Sequence, residues 1–154
     1  MNSTLKLWRK LSAYPGGKRL FSRAICLKAP YFSTISPQFE QLDVGAAIVR
    51  IKERRSLHNH LGSVHAIALC NLAEVAGGLA CEVSMPEGMR WIPSGMTVKY
   101  KARAKGELRG YATVPTVEPG KKAELPVTVD VKNCDGESVF EAEIVMYVSP
   151  AKSA

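Results

Sequence analysis

The stretch HNHLGSVHAIALCNLAEVAGG, His58–Gly78, decides the fold. Its apolar residues Val64, Ile67, Ala68, Leu69, Leu72, Ala73, Val75 and Ala76 run round the whole circumference of a helix. A helix without a polar stripe is enclosed by other elements. Ser63 stands where an N-cap is expected, and Gly77 with Gly78 stands where C′ glycines end a helix. One carboxylate, Glu74, interrupts the apolar run, and all three histidines of the chain, His58, His60 and His65, crowd its front.

Outward from this helix the pattern turns to strand. Ahead of it, LDVGAAIVRIKERR (42–55) reads as one strand in which Ala47, Val49 and Ile51 alternate with Ile48, Arg50 and Lys52. Behind it, GLACEVSM (78–85) reads as a strand. SGMTVKYKARA (94–104) alternates Met96, Val98, Tyr100, Ala102 and Ala104 with Thr97, Lys99, Lys101 and Arg103. ELRGYATVP (107–115) follows, and AELPVTVDVKN and ESVFEAEIVMYVS flank a hairpin signal at Asp135-Gly136. One long helix, one strand before it and four or more antiparallel strands after it make an α+β fold. A sheet curled around the helix accounts for the missing polar face.

The 154 residues, 46% hydrophobic and 23% charged, suit a single globular domain over 1–154, with a basic helical segment at 1–28 and a core at 29–150. No run approaches about 18 apolar residues, which excludes a membrane span. Cys26, Cys70, Cys81 and Cys134 form no C-x-x-C pair. They read as free thiols in a reducing, cytoplasmic setting.

The net charge of +7 is unevenly spread: residues 1–39 hold seven basic side chains and no acid, while fourteen basic residues balance fourteen acids in the rest. Such a front serves as an organelle transit segment, docks on anionic lipid or phosphate, or covers an edge of the body as a helix pair. The aromatic-rich APYFSTISPQF (29–39) that follows favours retained, packed structure. Nucleic acid is not an expected partner, because the basic residues are not interleaved with stacking aromatics and no zinc-finger or recognition-helix pattern occurs.

The front of the central helix carries the chemistry. A helix start offers unpaired N–H groups and about half a positive charge, which stabilise an oxygen turning negative. Here the donors are the N–H groups of His65 and Ala66. Gly62 allows close approach of a ligand, and Asn59 offers an amide. Glu74 is the candidate base or nucleophile, and Asn71, one turn before it, is placed to orient it. His65 and Glu74 lie nine residues apart, about 13.5 Å along the axis and on opposite faces. They meet on one substrate only if two copies pack with helices antiparallel. Each residue also has a plainer reading: Glu74 as a structural acid or part of a dimer seam, His65 as a backbone-bonded cap, Asn71 as packing. His58, His60 and His65 lack the i, i+4 spacing of a metal helix, so no metal is expected.

The pattern Asn59-x-x-Gly62-x-x-His65-Ala66 with Glu74 nine residues after the histidine resembles the hotdog-fold acyl-CoA thioesterases, in the branch of the phenylacetate-pathway enzyme. APYFSTISP, HNHLGSVHAIALCNLAE and MRWIPSGMTVKY resemble a bacterial group of that superfamily more closely, and the likeness covers most of 29–148. It implies a curved antiparallel sheet around the helix, homodimers or tetramers, and hydrolysis of an acyl-CoA or acyl-carrier thioester without metal or cofactor. Glu74 would activate water, the Ala66 N–H would hold the thioester oxygen, Asn59 would position water or carbonyl, and His65 would support the helix start. The family's H-G-G is His65-Ala66-Ile67 here, and its water-assisting Ser or Thr falls on Pro93, with Ser94 one residue away. Lys99, Lys101 and Arg103 on one strand face are candidates for the CoA phosphates, with Arg90 a weaker one. Two alternatives stay open: a hotdog 3-hydroxyacyl dehydratase using His60 and Glu74, and an acyl-CoA or acyl-carrier binding protein without catalysis.

Overall fold

The computed structural model describes residues 2–151. In chain order the elements are α1 (Ser3–Ser12), α2 (Gly17–Lys28), a 3₁₀ turn (Pro30–Ile35), β1 (Gln38–Asp43), β2 (Ala46–Lys52), α3 (Ala66–Ser84), β3 (Met89–Tyr100), β4 (Glu107–Thr113), β5 (Ala123–Lys132) and β6 (Ser138–Pro150). The six strands form one antiparallel sheet in the order β1-β2-β4-β5-β6-β3. The sheet curves around α3, which is the hotdog arrangement. Alternation along β5 and β6 sends Val127, Val129, Ile144 and Met146 inward, where they are fully buried with Leu72, Ala73, Val75 and Ala76 of the helix.

The helix does not stop at Gly77. It continues seven residues further, so GLACEVSM is its last two turns and not a strand. Neither Gly77 nor Gly78 takes the left-handed φ of a C′ glycine. Both are there because the helix presses onto the sheet. A β-carbon on Gly77 would lie 3.1 Å from Ile144 Cδ1 and 3.2 Å from Val127 Cγ1, and one on Gly78 would lie 3.3 Å from the Trp91 ring. The start also differs from expectation: the cap is His65, whose Nδ1 accepts the Ile67 N–H, and Ser63 lies outside the helix. By length and apolar composition α3 could cross a membrane; here it fills the concave side of the sheet.

Residues 42–55 hold the end of one strand and the whole of the next. β1 and β2 form a hairpin through Val44-Gly45, with Gly45 at φ +83°. α2 lies against β1 and α1 lies on α2, sealed by edge-to-face aromatic contacts of Trp8 with Phe21 (5.1 Å) and of Phe21 with Phe39 (5.3 Å). Gly17 is needed for this hairpin of helices, since a β-carbon there would lie 1.7 Å from the Leu11 carbonyl oxygen. On the convex face Glu40, Arg50, Glu107 and Arg109 close a four-residue ion-pair ring across β1, β2 and β4. Hydrogen bonding by Arg50, then by Arg109, holds the Glu107 carboxyl below its usual range.

β1 and β3 are the two edges. β3 is a long edge strand, and its clean alternation does not bury it: Ile92, Met96 and Tyr100 remain exposed.

Gly77→Val adds three carbons where the first already touches three side chains. We expect it to lower stability by about 1–3 kcal/mol, measured by denaturant unfolding.

Candidate active site

The entry into α3 is fixed by short-range bonds. Glu53 anchors it, since its carboxylate accepts the Gly106 N–H and bonds His58 Nε2 at 2.7 Å. Asn59 then organises the turn. Its Oδ1 accepts the N–H groups of Leu61 (3.0 Å) and Ser63 (3.2 Å), and its Nδ2 donates to Ser63 Oγ (3.1 Å). Gly62 takes φ +67°, and a β-carbon there would meet nothing within 4 Å, so the outer side of this turn is open. Val64 N–H donates to the Ala104 carbonyl (2.9 Å) and His65 N–H to the Leu57 carbonyl (2.7 Å).

Of the two N–H donors expected at the helix start, that of His65 is therefore spent. Ala66 N–H donates to no acceptor among the described residues. Asn59 shapes the turn with both ends of its amide, and His65 is a cap bonded to backbone. The three histidines do not converge: His58 bonds Glu53, His65 caps, and His60 is exposed.

Glu74 is exposed within its own chain and makes no hydrogen bond or ion pair among the described residues. This corrects the expectation of an acid inside a fully enclosed helix. The apolar circumference has a gap along Ile67, Cys70 and Glu74, where Ile67 is 56% exposed. Cys70 Sγ lies 3.8 Å from the Tyr100 hydroxyl and Gly78 lies beneath Trp91, so Glu74, between them on the helix, faces the side of edge strand β3. The thiol beside it raises the Tyr100 hydroxyl pKa.

Asn71 is not bonded to Glu74. Its Nδ2 donates to Thr34 Oγ1 (3.2 Å), while the Thr34 hydroxyl donates to the Tyr31 carbonyl (2.8 Å). That direction fixes the Asn71 amide and leaves its buried Oδ1 without a donor. Thr34 and Tyr100 thus bound an open strip of α3 on two sides. Ala66 and Glu74 stand eight residues apart on it, about 12 Å of helical rise, too far to reach one atom from a single chain.

The candidate phosphate contacts lie elsewhere. Lys99 stands on the convex face with Thr97, Glu141 and Glu143, and Lys101 pairs with Glu141 at 2.6 Å. Arg103 is exposed, and Arg90 Nε donates to Ser149 Oγ. Ser94 sits at a bulge in β3 and its hydroxyl donates to the Val145 carbonyl (3.1 Å). Sequence reasoning missed Glu53, Thr34 and Tyr100. Glu53 lies in the charged run KERR and looks solvated, and nothing local marks the other two as neighbours of α3.

The sequence profile of DUF4442, a domain of unknown function, matches residues 17–148. The chain belongs to this family. Solved structures described as thioesterases share the fold seen here. A structural-genomics protein of known crystal structure is 43% identical, with TM-score 0.83 over 96% of this chain and 98% of its own. A Pseudomonas aeruginosa protein of unknown function, described as a probable thioesterase, is 25% identical, with TM-score 0.75 over 89% and 97%. A thioesterase from Haemophilus influenzae, 13% identical, shares the fold with TM-score 0.70 over 80% and 85%. No protein of curated function matches the chain by sequence. The phenylacetate-pathway branch is not singled out by these likenesses.

The Gly106 N–H, and after it His58, hold the Glu53 carboxyl below its usual value, outweighing partial burial. A depressed carboxyl contributes stability above its unfolded value of about 4.3, which is lost as pH falls through the lower folded value. The stability difference between wild type and Glu53→Gln should therefore be full at neutral pH and shrink below about pH 4, as read from unfolding midpoints across pH.

Proposed function

We propose that this DUF4442 protein hydrolyses acyl thioesters of coenzyme A or an acyl carrier, at sites that two copies complete for each other. The observation that carries the reading is the pair on α3: an Ala66 N–H at its start and a Glu74 carboxylate eight residues on, neither with a partner among the described residues, both on a strip left open beside edge strand β3. The thioester likeness of the solved relatives supports the same chemistry.

The step needs two things. As water adds to the thioester carbon, the carbonyl oxygen becomes an anion, and the Ala66 N–H backed by the helix dipole stabilises it. A base must take the water's proton, or a carboxylate must attack first; Glu74 serves either way. The tetrahedral intermediate then expels the thiolate, which takes up the proton drawn from water; when water attacks, the acid forms directly, and when Glu74 attacks, a mixed anhydride on Glu74 forms first and a water must hydrolyse it to release the acid and restore the carboxylate. Donors of this kind contribute roughly 10²–10³ in turnover elsewhere, and base assistance roughly 10²–10⁴. His65 and Asn59 act through the Ala66 N–H, by fixing where it points.

A single chain separates donor and base by about 12 Å. A two-fold axis that sets two α3 helices antiparallel brings Glu74 of one copy to the Ala66 of the other. β3 favours such pairing, because a long edge with exposed Ile92, Met96 and Tyr100 beside unpaired backbone calls for a cover. Edge-to-edge pairing of two β3 strands would join the sheets and cover the Glu74 strip at once.

Free-thiol release from a panel of short, long and aryl acyl-CoAs tests the activity. Glu74→Gln should cut turnover by about 10²–10⁴ with an unchanged unfolding transition, since the carboxylate has no partner among the described residues to lose. Turnover that survives Glu74→Gln overturns the mechanism.

The shared site has its own test. Ala66→Pro removes the donor at the first helical position, where proline is tolerated, and His65 already has the extended ψ of 141° that a following proline requires. Each variant alone should be inactive. Mixed and allowed to exchange subunits, they should recover up to about a quarter of wild-type activity, because half the dimers then hold one intact site of two. No recovery despite proven exchange would place donor and base in the same chain.

A further inference from the structure

We infer that the face formed by α2 and the cleft beside it docks on membrane surfaces rich in anionic phospholipid. The inference does not depend on the thioesterase reading.

Three observations carry it. First, α2 turns Phe21 and Ile25 into the core and leaves Arg19, Leu20, Arg23 and Leu27 outside. Those four positions fall within about 100° of the helix circumference, so arginines and leucines are interleaved on one stripe. Leu27 is 82% exposed and Leu20 56%. Second, a cleft of about 500 Å³ opens between α2 and β2, lined by Arg19, Arg23, Arg50, Lys52 and Arg54 with Glu53 as its one acid. Glu53 is committed to Gly106 and His58, and Arg50 to Glu40 and Glu107. Arg54 donates to Ser36 Oγ and the Thr34 carbonyl. Arg19, Arg23 and Lys52 have no ion-pair partner among the described residues. Third, no acid exists in residues 1–39 to offset them.

Charge alone would suit any polyanion. The leucines decide between the candidates. A free phosphate or nucleotide uses the cleft and gains nothing from Leu20 and Leu27. At a bilayer surface, arginines reach the phosphate layer while neighbouring leucines enter the headgroup and acyl boundary. Phosphate headgroups fit a cleft lined by Arg19, Arg23 and Lys52, which have no ion-pair partner among the described residues. The position also fits: α2 flanks β1, the sheet edge opposite β3, so edge pairing through β3 leaves this face open.

Co-sedimentation of the full chain with vesicles tests it. We expect binding to phosphatidylcholine vesicles that contain phosphatidylserine, none to pure phosphatidylcholine, and release by high salt. Arg19→Glu with Arg23→Glu should weaken binding about tenfold or more. Leu20→Ser with Leu27→Ser, which leaves the charge unchanged, should weaken it comparably. Unfolding transitions of both variants must match wild type. Failure of wild type to bind phosphatidylserine vesicles overturns the inference. So does a loss with the arginine pair but not with the leucine pair, or release by equimolar free coenzyme A, either of which would mark a soluble-anion site. Equal retention on an acidic polypeptide resin by wild type and the leucine variant, with no vesicle binding, would point to an acidic protein partner instead.

Discussion

The close contact between α3 and the concave face of the sheet is the constraint on which everything else rests. It is set by small residues on both sides. Gly77 meets Val127, Val129 and Ile144, and Gly110 on β4 meets Leu72. Ala68, Ala73, Ala76 and Ala80 fill the rest of the interface without holding the backbones apart. A helix this near the sheet has its inner rotation fixed, because the glycines must face inward. The rotation then fixes which residues cannot be covered: Ile67, Cys70 and Glu74 fall where the sheet runs out at β3. The open strip follows from the core's packing and is not an independent feature of the surface.

That explains which parts of the fold were legible in the sequence. The Asp135-Gly136 hairpin signal identified β5 and β6 as its two flanks, since a tight turn is a local pattern. The all-round apolarity of 64–76 correctly required an enclosing sheet. Gly77-Gly78 misled because glycine serves two purposes that look alike in one dimension. It can relieve a left-handed backbone at a helix end, or yield room to a facing strand. Only the facing strand distinguishes the two, and for Gly77 it lies fifty or more residues away. The hairpin at Val44-Gly45 was hidden for a related reason: apolar alternation continues across it, and one glycine was too small a signal to divide two strands. β3 was read with the right faces, but alternation reports pleat, not position in the sheet, and an edge strand alternates as cleanly as a central one.

The candidate site divides along the same line. Spacing marked Asn59, Gly62, His65, Ala66 and Glu74 together, and the chain does bring the first four into one turn. Which N–H is free could not be read, because His65 N–H is consumed by Leu57, a contact made by the path of the loop. The exposure of Glu74 was likewise hidden, being a property of where β3 ends. Asn71 looked like a partner for Glu74 on helical spacing, yet its amide is fixed by Thr34, from a segment more than thirty residues earlier.

The two edges of the sheet offer different surfaces, and physical chemistry assigns them different tasks. The β3 side combines unpaired backbone with Ile92, Met96 and Tyr100 and an isolated carboxylate. Backbone hydrogen bonds of fixed register are what another strand supplies, so this edge suits a partner of identical shape. The β1 side offers no free strand, since α2 covers it, and shows interleaved arginine and leucine instead. Such a surface has no register to satisfy and tolerates a fluid counterpart. If both readings hold, the reaction centre lies in a seam set by geometry while the charge imbalance lies outside it. The acid-free front of the chain would then be selected for a role that leaves the chemistry at Glu74 and Ala66 untouched.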